Sequence, residues 1–149
     1  MTAALLAFLH HLSAFVVFAA LMTELVLTKP PLTLESARST LRMDAVYGGA
    51  ALVLLIVGFL RVFYTEKGSF YYFHSAAFIT KIVLFAIVGL LSIYPTLQFM
   101  SWRGSLKAQQ VPVFDAARRR SVRRVIHLEL TLLAVIMLCA VMMARGLGY

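Results

Sequence analysis

Two histidines stand side by side in AFLHHLSAFVV, residues 7–17, a stretch in which every other side chain except that of Ser13 is apolar. An imidazole in such a run can bond a neighbouring helix, relay a proton, or give a nitrogen lone pair to a metal. Three more basic residues occur in comparable settings: Arg61 in VGFLRVFY, His74 in YYFHSAAF and Lys81 in FITKIVL. An ionisable group inside an apolar span is costly unless it faces a partner, a cavity or a ligand. These five residues therefore carry most of what the sequence says about function.

The elements that must position them follow from composition. Of 149 residues, 62% are hydrophobic and 13% charged, whereas about a quarter of a soluble protein is charged. Four apolar stretches, residues 4–27, 45–64, 75–98 and 125–147, are each long enough to cross a hydrocarbon core about 30 Å thick at about 1.5 Å per residue. Backbone groups in lipid must be satisfied internally, and barrel strands would be shorter and alternate in polarity. The expectation is an all-α integral membrane protein, one four-transmembrane-helix bundle spanning residues 1–149. No Lys or Arg precedes the first stretch, so it reads as a retained span and not as a cleaved signal peptide. Cys139 is the single cysteine; it offers neither a disulfide nor a thiolate metal site and reads as a small packed side chain.

Charge sets the orientation. Lys29, Arg38 and Arg42 follow the first stretch, and Arg103, Lys107, Arg118, Arg119, Arg120, Arg123 and Arg124 follow the third, which gives one side ten of the fourteen basic residues. That side is expected to be cytoplasmic, with both termini outside, in a bacterial plasma membrane. The formal charge of +8 then reflects topology and anionic headgroups. No nucleic-acid partner is expected, because RRRSVRR sits at a membrane boundary without interleaved aromatics. TKPPLT stops the first helix, and Pro112 precedes an amphipathic lead-in to the fourth. Tyr64, Phe70, Tyr71, Tyr72 and Phe73 form an aromatic belt in the outer loop. So small a bundle leaves a homodimer open.

Depth and helical angle sort the polar residues. His10, His11, Arg61, His74 and Lys81 fall in one zone near the outer side. From His10 to Glu24 is fourteen residues, which at about 100° per residue leaves them roughly 40° apart, on a face shared with Ala14, Val17 and Leu21. His11 points about 100° away, toward a neighbouring helix or the interface, while His74 and Lys81 project within about 20° of each other. A second zone near the cytoplasmic side holds Glu24, Arg42, Asp44, His127 and Glu129. It reads as a network that sets helix register, with Glu24 paired to Arg42 or Arg124; a proton path or a second ligand site is the alternative.

An imidazole on an inward face, beside the small residues Ser13, Ala14, Ala20 and Gly58, suits a flat apolar ligand packed between helices. Haem b fits that description: its iron takes neutral imidazole, so that His10 would be one axial ligand and His74, Lys81 or His11 the other. Arg61 or Lys67 would pair with the propionates. A hydrogen-bonded structural histidine remains the alternative at His10.

Four segments give the chain a likeness to a known family: LHHLSAFVVFAAL with His10, LRMDAVYGG with Arg42 and Met43, FITKIVL with Lys81, and RRVIHLELTLL with Arg124. In these and in its four-span order the chain resembles the HemJ-type protoporphyrinogen oxidase family and related small bacterial membrane proteins. The resemblance implies that His10 binds haem b and that Lys81 is needed for activity. The chain departs from that pattern at Ala77, where a tryptophan-containing approach to the lysine is expected. It departs again at HLEL, where His127 and Leu130 replace the asparagine and proline of an Asn-Glu-x-Pro stretch. Three functions are then in view. The first is a haem b redox protein exchanging electrons with a quinone or a small oxidant. The second is a protoporphyrinogen oxidase in which Lys81 or Arg61 positions the carboxylates of the tetrapyrrole. The third is a non-haem carrier of a small molecule or proton, or a subunit of a membrane complex.

Overall fold

The computed structural model describes residues 1–64 and 76–145. The elements in chain order are α1 (Thr2–Leu27), α2 (Leu34–Tyr64), α3 (Ala76–Ser101), the short α4 (Arg103–Lys107) and α5 (Ala116–Ala144). There is no strand among the described residues. Four segments, Thr2–Leu27, Leu34–Tyr64, Phe78–Lys107 and Ala116–Ala144, are long and apolar enough to cross a membrane. The protein is a four-helix membrane bundle, and the even number of spans puts both ends of the chain on one side.

Each helix begins and ends where local chemistry dictates. At the end of α1, Thr28 turns its hydroxyl back to the Glu24 carbonyl at 2.8 Å, and Pro30 and Pro31 then prevent continuation. Thr33 starts α2 with a reciprocal cap: its Oγ1 accepts from the Ser36 N–H at 3.1 Å, and its own N–H donates to Ser36 Oγ at 2.9 Å. Asp115 caps α5, accepting from the Arg118 N–H at 2.8 Å. Helices α2 and α5 therefore start well before the apolar runs at 45 and 125. Their first turns are charged, but nothing after Thr33 or Asp115 breaks the helix, so the apolar run marks where lipid begins and not where the helix does.

Helix α1 packs along α2 and α3 along α5, and the two pairs meet through α1 against α5 and α2 against α3. Only 17–22% of each span is buried; the outward faces carry exposed Leu5, Phe8 and Phe15 on α1, Leu90 and Leu97 on α3, and Leu138 on α5. A surface of that composition is matched by acyl chains. The main buried cluster runs from Val17, Leu21 and Leu25 through Tyr47 and Val88 to Ile126 and Leu130. At the end that carries most of the basic residues it closes with an aromatic stack in which the Trp102 ring lies 5.1 Å from Phe99 and 5.0 Å from Phe114. A second, smaller cluster of Val62 and Phe78, with Ile82 and Met143 against it, lies toward the opposite end.

Candidate functional site

Of the described basic residues in the zone expected around His10, Arg61 adjoins Val62 and Lys81 lies one turn after Phe78, at the level of the smaller cluster. On α1 the buried face is Ser13, Val17, Ala20, Leu21, Glu24 and Leu25, close to the face expected from helical angle. His10 continues it outward. Its ring packs on α2 at Gly58, where a Cβ would stand 3.4 Å from Cε1 and 3.6 Å from Nδ1. The ring also reaches the Leu54 backbone, one helical turn earlier. The absent side chain at Gly58 is what lets an imidazole enter this interface.

The charged groups acting on His10 are Arg61 of α2, Lys81 of α3 and, less strongly, His11. Cations on α2 and α3 thus lie within electrostatic range of His10. Lys81 Nζ lies 5.1 Å from the centroid of the Phe78 ring on its own helix, an arrangement in which the ring face attracts the ammonium. Nδ1 of His10 is buried and has no hydrogen-bond partner. A buried polar nitrogen in that condition is uncommon. It is a donor atom of the right kind for haem iron, and the cations beside it are of the right sign for propionates, so the residues present fit that group.

His11 behaves differently. It is exposed, and its Nδ1 lies 2.6 Å from the Ala7 carbonyl of its own helix; of the two expected settings, a neighbouring helix or the interface, the first is not the one it takes. His74, Lys67 and the aromatics Phe70 to Phe73 lie outside the described residues. Cys139 is a free, half-buried thiol. Among the described residues no three His, Cys, Asp or Glu side chains come together as a metal site. A metal at the His10 level would rest on one or two protein ligands.

The cluster toward the basic end differs from expectation. Glu24 is 1% exposed and Glu129 0%, and Oε1 of Glu24 and both oxygens of Glu129 lack hydrogen-bond partners. The charges that act on Glu24 are those of Asp44 and Glu129, not of a cation. Neither Arg42 nor Arg124 pairs with Glu24: both are exposed, and Arg42 turns to a cavity on the other side of α2. The tie between α5 and α1 comes instead from Arg123, whose Nη1 donates to the Leu25 carbonyl at the carbonyl-rich end of α1. His127 also leaves the cluster; it is exposed, with Nδ1 2.6 Å from the Arg123 carbonyl.

Two participants were missed in the sequence. Thr96 of α3 donates to Asp44 Oδ1 at 2.6 Å, and Tyr47, buried one turn after Asp44, lies within electrostatic range of Glu129, Glu24 and Asp44. The spacing of Asp44 and Tyr47, one turn apart on one face, was the available signal for the tyrosine. Nothing in YPTLQ singles out Thr96.

Ionisable side chains held at two levels inside four apolar spans define a small multi-pass membrane protein with interior polar sites. Residues 2–148 match the family described as Predicted membrane protein (DUF2214), and the chain belongs to that family. No curated protein and no solved structure matches it.

Proposed function

We propose that this is a membrane redox protein that binds haem b through His10. The observation that carries this reading is the buried, unpartnered Nδ1 of His10, held over Gly58 and flanked by Arg61 and Lys81. His10 supplies a neutral nitrogen ligand from an apolar helix face, while Arg61 and Lys81 supply positive charge to anchor carboxylates at the same depth. In low dielectric such charge-assisted contacts are stronger than in water. Candidates for a second ligand are Lys81 and His74. Bound there, haem b would supply one-electron chemistry with a quinone or a small oxidant. The test is the haem content of protein purified from cells supplied with haem: the reading requires about one b-type haem per chain or per pair of chains, and haem-free protein ends it.

Protoporphyrinogen oxidation, as in the HemJ-type family, is the finer version of this reading. Arg61 and Lys81 would then hold the carboxylates of the tetrapyrrole substrate. It requires that the chain restore growth to a strain lacking that oxidase.

A second reading is favoured by a different observation, the unpartnered oxygens of Glu24 and Glu129. Buried carboxylates gathered from α1, α2 and α5 near one end of the spans are of the kind by which transporters bind and pass protons. Colourless protein that acidifies the lumen of proteoliposomes under a potential, and loses this in Glu129→Gln, would favour proton carriage over redox chemistry.

A further inference from the structure

At the basic end, separate from both interior levels, Arg38, Leu41 and Arg42 of α2 and Arg103, Leu106 and Lys107 of α4 line an open cavity of about 300 Å³. Four of its six lining residues are cationic and none is acidic. Arg38 is tied down, its Nη2 donating to Gln109 Oε1 at 2.7 Å, which joins α2 to the turn after α4. Arg42, Arg103 and Lys107 are exposed. Asp44 lies within electrostatic range of Arg103 and already accepts from Thr96. Like charges gathered around one concavity repel each other unless an anion lies between them.

The position of the cavity indicates the anion. Lys107 is the last residue of the third span, so the cavity lies at headgroup depth, and its remaining walls are the aliphatic side chains of Leu41 and Leu106. Guanidinium groups bind phosphate oxygens in paired, planar contacts. An apolar wall beside them suits the glycerol and upper acyl chain of a lipid better than a fully hydrated ion. Basic pockets between spans on this side of a membrane are where acidic headgroups bind. We propose that this cavity binds the phosphodiester headgroup of an anionic phospholipid in the leaflet on the basic side of the protein.

The single tryptophan of the chain, Trp102, immediately precedes Arg103 and provides the readout. Protein in phosphatidylcholine nanodiscs is titrated with brominated phosphatidylglycerol or brominated phosphatidylcholine, and quenching of Trp102 is followed. Phosphatidylglycerol is expected to quench at lower mole fraction. That preference should fall about fivefold for each charge removed in Arg42→Gln and Lys107→Gln and stay intact in Arg145→Gln at the far end of α5; Arg42→Lys, which keeps the charge but loses the paired guanidinium contact, should fall by less than Arg42→Gln. Unchanged quenching by brominated phosphatidylcholine in each variant shows that Trp102 keeps its surroundings; a variant that fails this check is replaced by Arg103→Gln, read the same way. Equal quenching by the two lipids, or a preference untouched by the substitutions, overturns the proposal. So does displacement of the lipid by millimolar inorganic phosphate, which would assign the cavity to a soluble anion.

Discussion

The imidazole of His10 and the bare Cα of Gly58 face each other across the α1–α2 interface, so closely that a Cβ at 58 would stand 3.4 Å from the ring. This contact turns one of the two adjacent histidines into the bundle, while His11 stays outside, bonded to its own helix. Helix α2 contributes an absence here, and Arg61, less than a turn further along, contributes charge at the same depth.

Substitutions at Gly58 should therefore act through His10. Gly58→Ala places a methyl at the edge of ordinary contact and should leave haem content within about twofold, since a shift of a few tenths of an ångström accommodates it. Gly58→Leu must displace the ring. Haem-to-protein ratio, with helicity by circular dichroism as the control for folding, should fall at least tenfold in Gly58→Leu. Full retention in that variant would place the ligand elsewhere.

Glu129 is fully buried and neither of its oxygens is partnered. Burying a carboxylate without a cation or donors is costly, and Gln has nearly the same shape without the charge. Glu129→Gln should melt in detergent no lower than the parent protein. A loss above about 2 kcal/mol would mean that the carboxylate has a charged partner, because breaking a buried pair costs about 3–5 kcal/mol.

The bond from Thr96 Oγ1 to Asp44 Oδ1, 2.6 Å, joins α3 to α2 where those helices otherwise touch lightly. Thr96→Val keeps the shape and removes the donor, so it should cost about 1–3 kcal/mol by leaving the acceptor unsatisfied. Chemical denaturation in mixed micelles measures this. In Asp44→Asn, Thr96→Val should cost less than in the parent, because the two share one interaction.

Trp102, 3% exposed, is wedged between Phe99 and Phe114 and fastens the segment before α5 to the end of α3. Trp102→Ala removes the middle ring of the stack and should cost about 3–5 kcal/mol, read as a lower melting midpoint by circular dichroism. A change under about 1 kcal/mol would show that the segment is held by Leu106 and Val122 alone.

The architecture was legible because lipid leaves the backbone so few options: four long apolar runs can only be helices. The choice of His10 over His11 as the inward residue was legible too, since the face that carries Val17, Leu21 and Glu24 is indeed the buried one. The cluster toward the basic end was read less well. His127 and Glu129, like Arg42 and Asp44, are two residues apart and so about 200° apart on a helix; in each pair, one residue faces inward and the other cannot. Glu24 was assigned a cation on depth alone, but which charge meets it depends on how α2 and α5 are rotated about their axes, and no periodicity within a single helix fixes that. The start of α2 was placed late because its charged first turns lie outside the apolar run, whereas the lead-in to α5 after Pro112 was legible from its amphipathic composition. The basic residues Arg38, Arg42, Arg103 and Lys107 were explained by topology, and their convergence on one cavity depends on α4, a helix of five residues too short to announce itself in the sequence.

The central claim is that Nδ1 of His10 is a ligand to haem iron. Oxidised and dithionite-reduced absorption spectra of the purified protein, beside those of His10→Ala and His11→Ala, test it most directly. The account predicts a Soret band with b-type reduced peaks in the parent protein, their persistence in His11→Ala, and their loss in His10→Ala with helicity unchanged. A colourless parent protein, or a spectrum that survives the loss of His10, would contradict it.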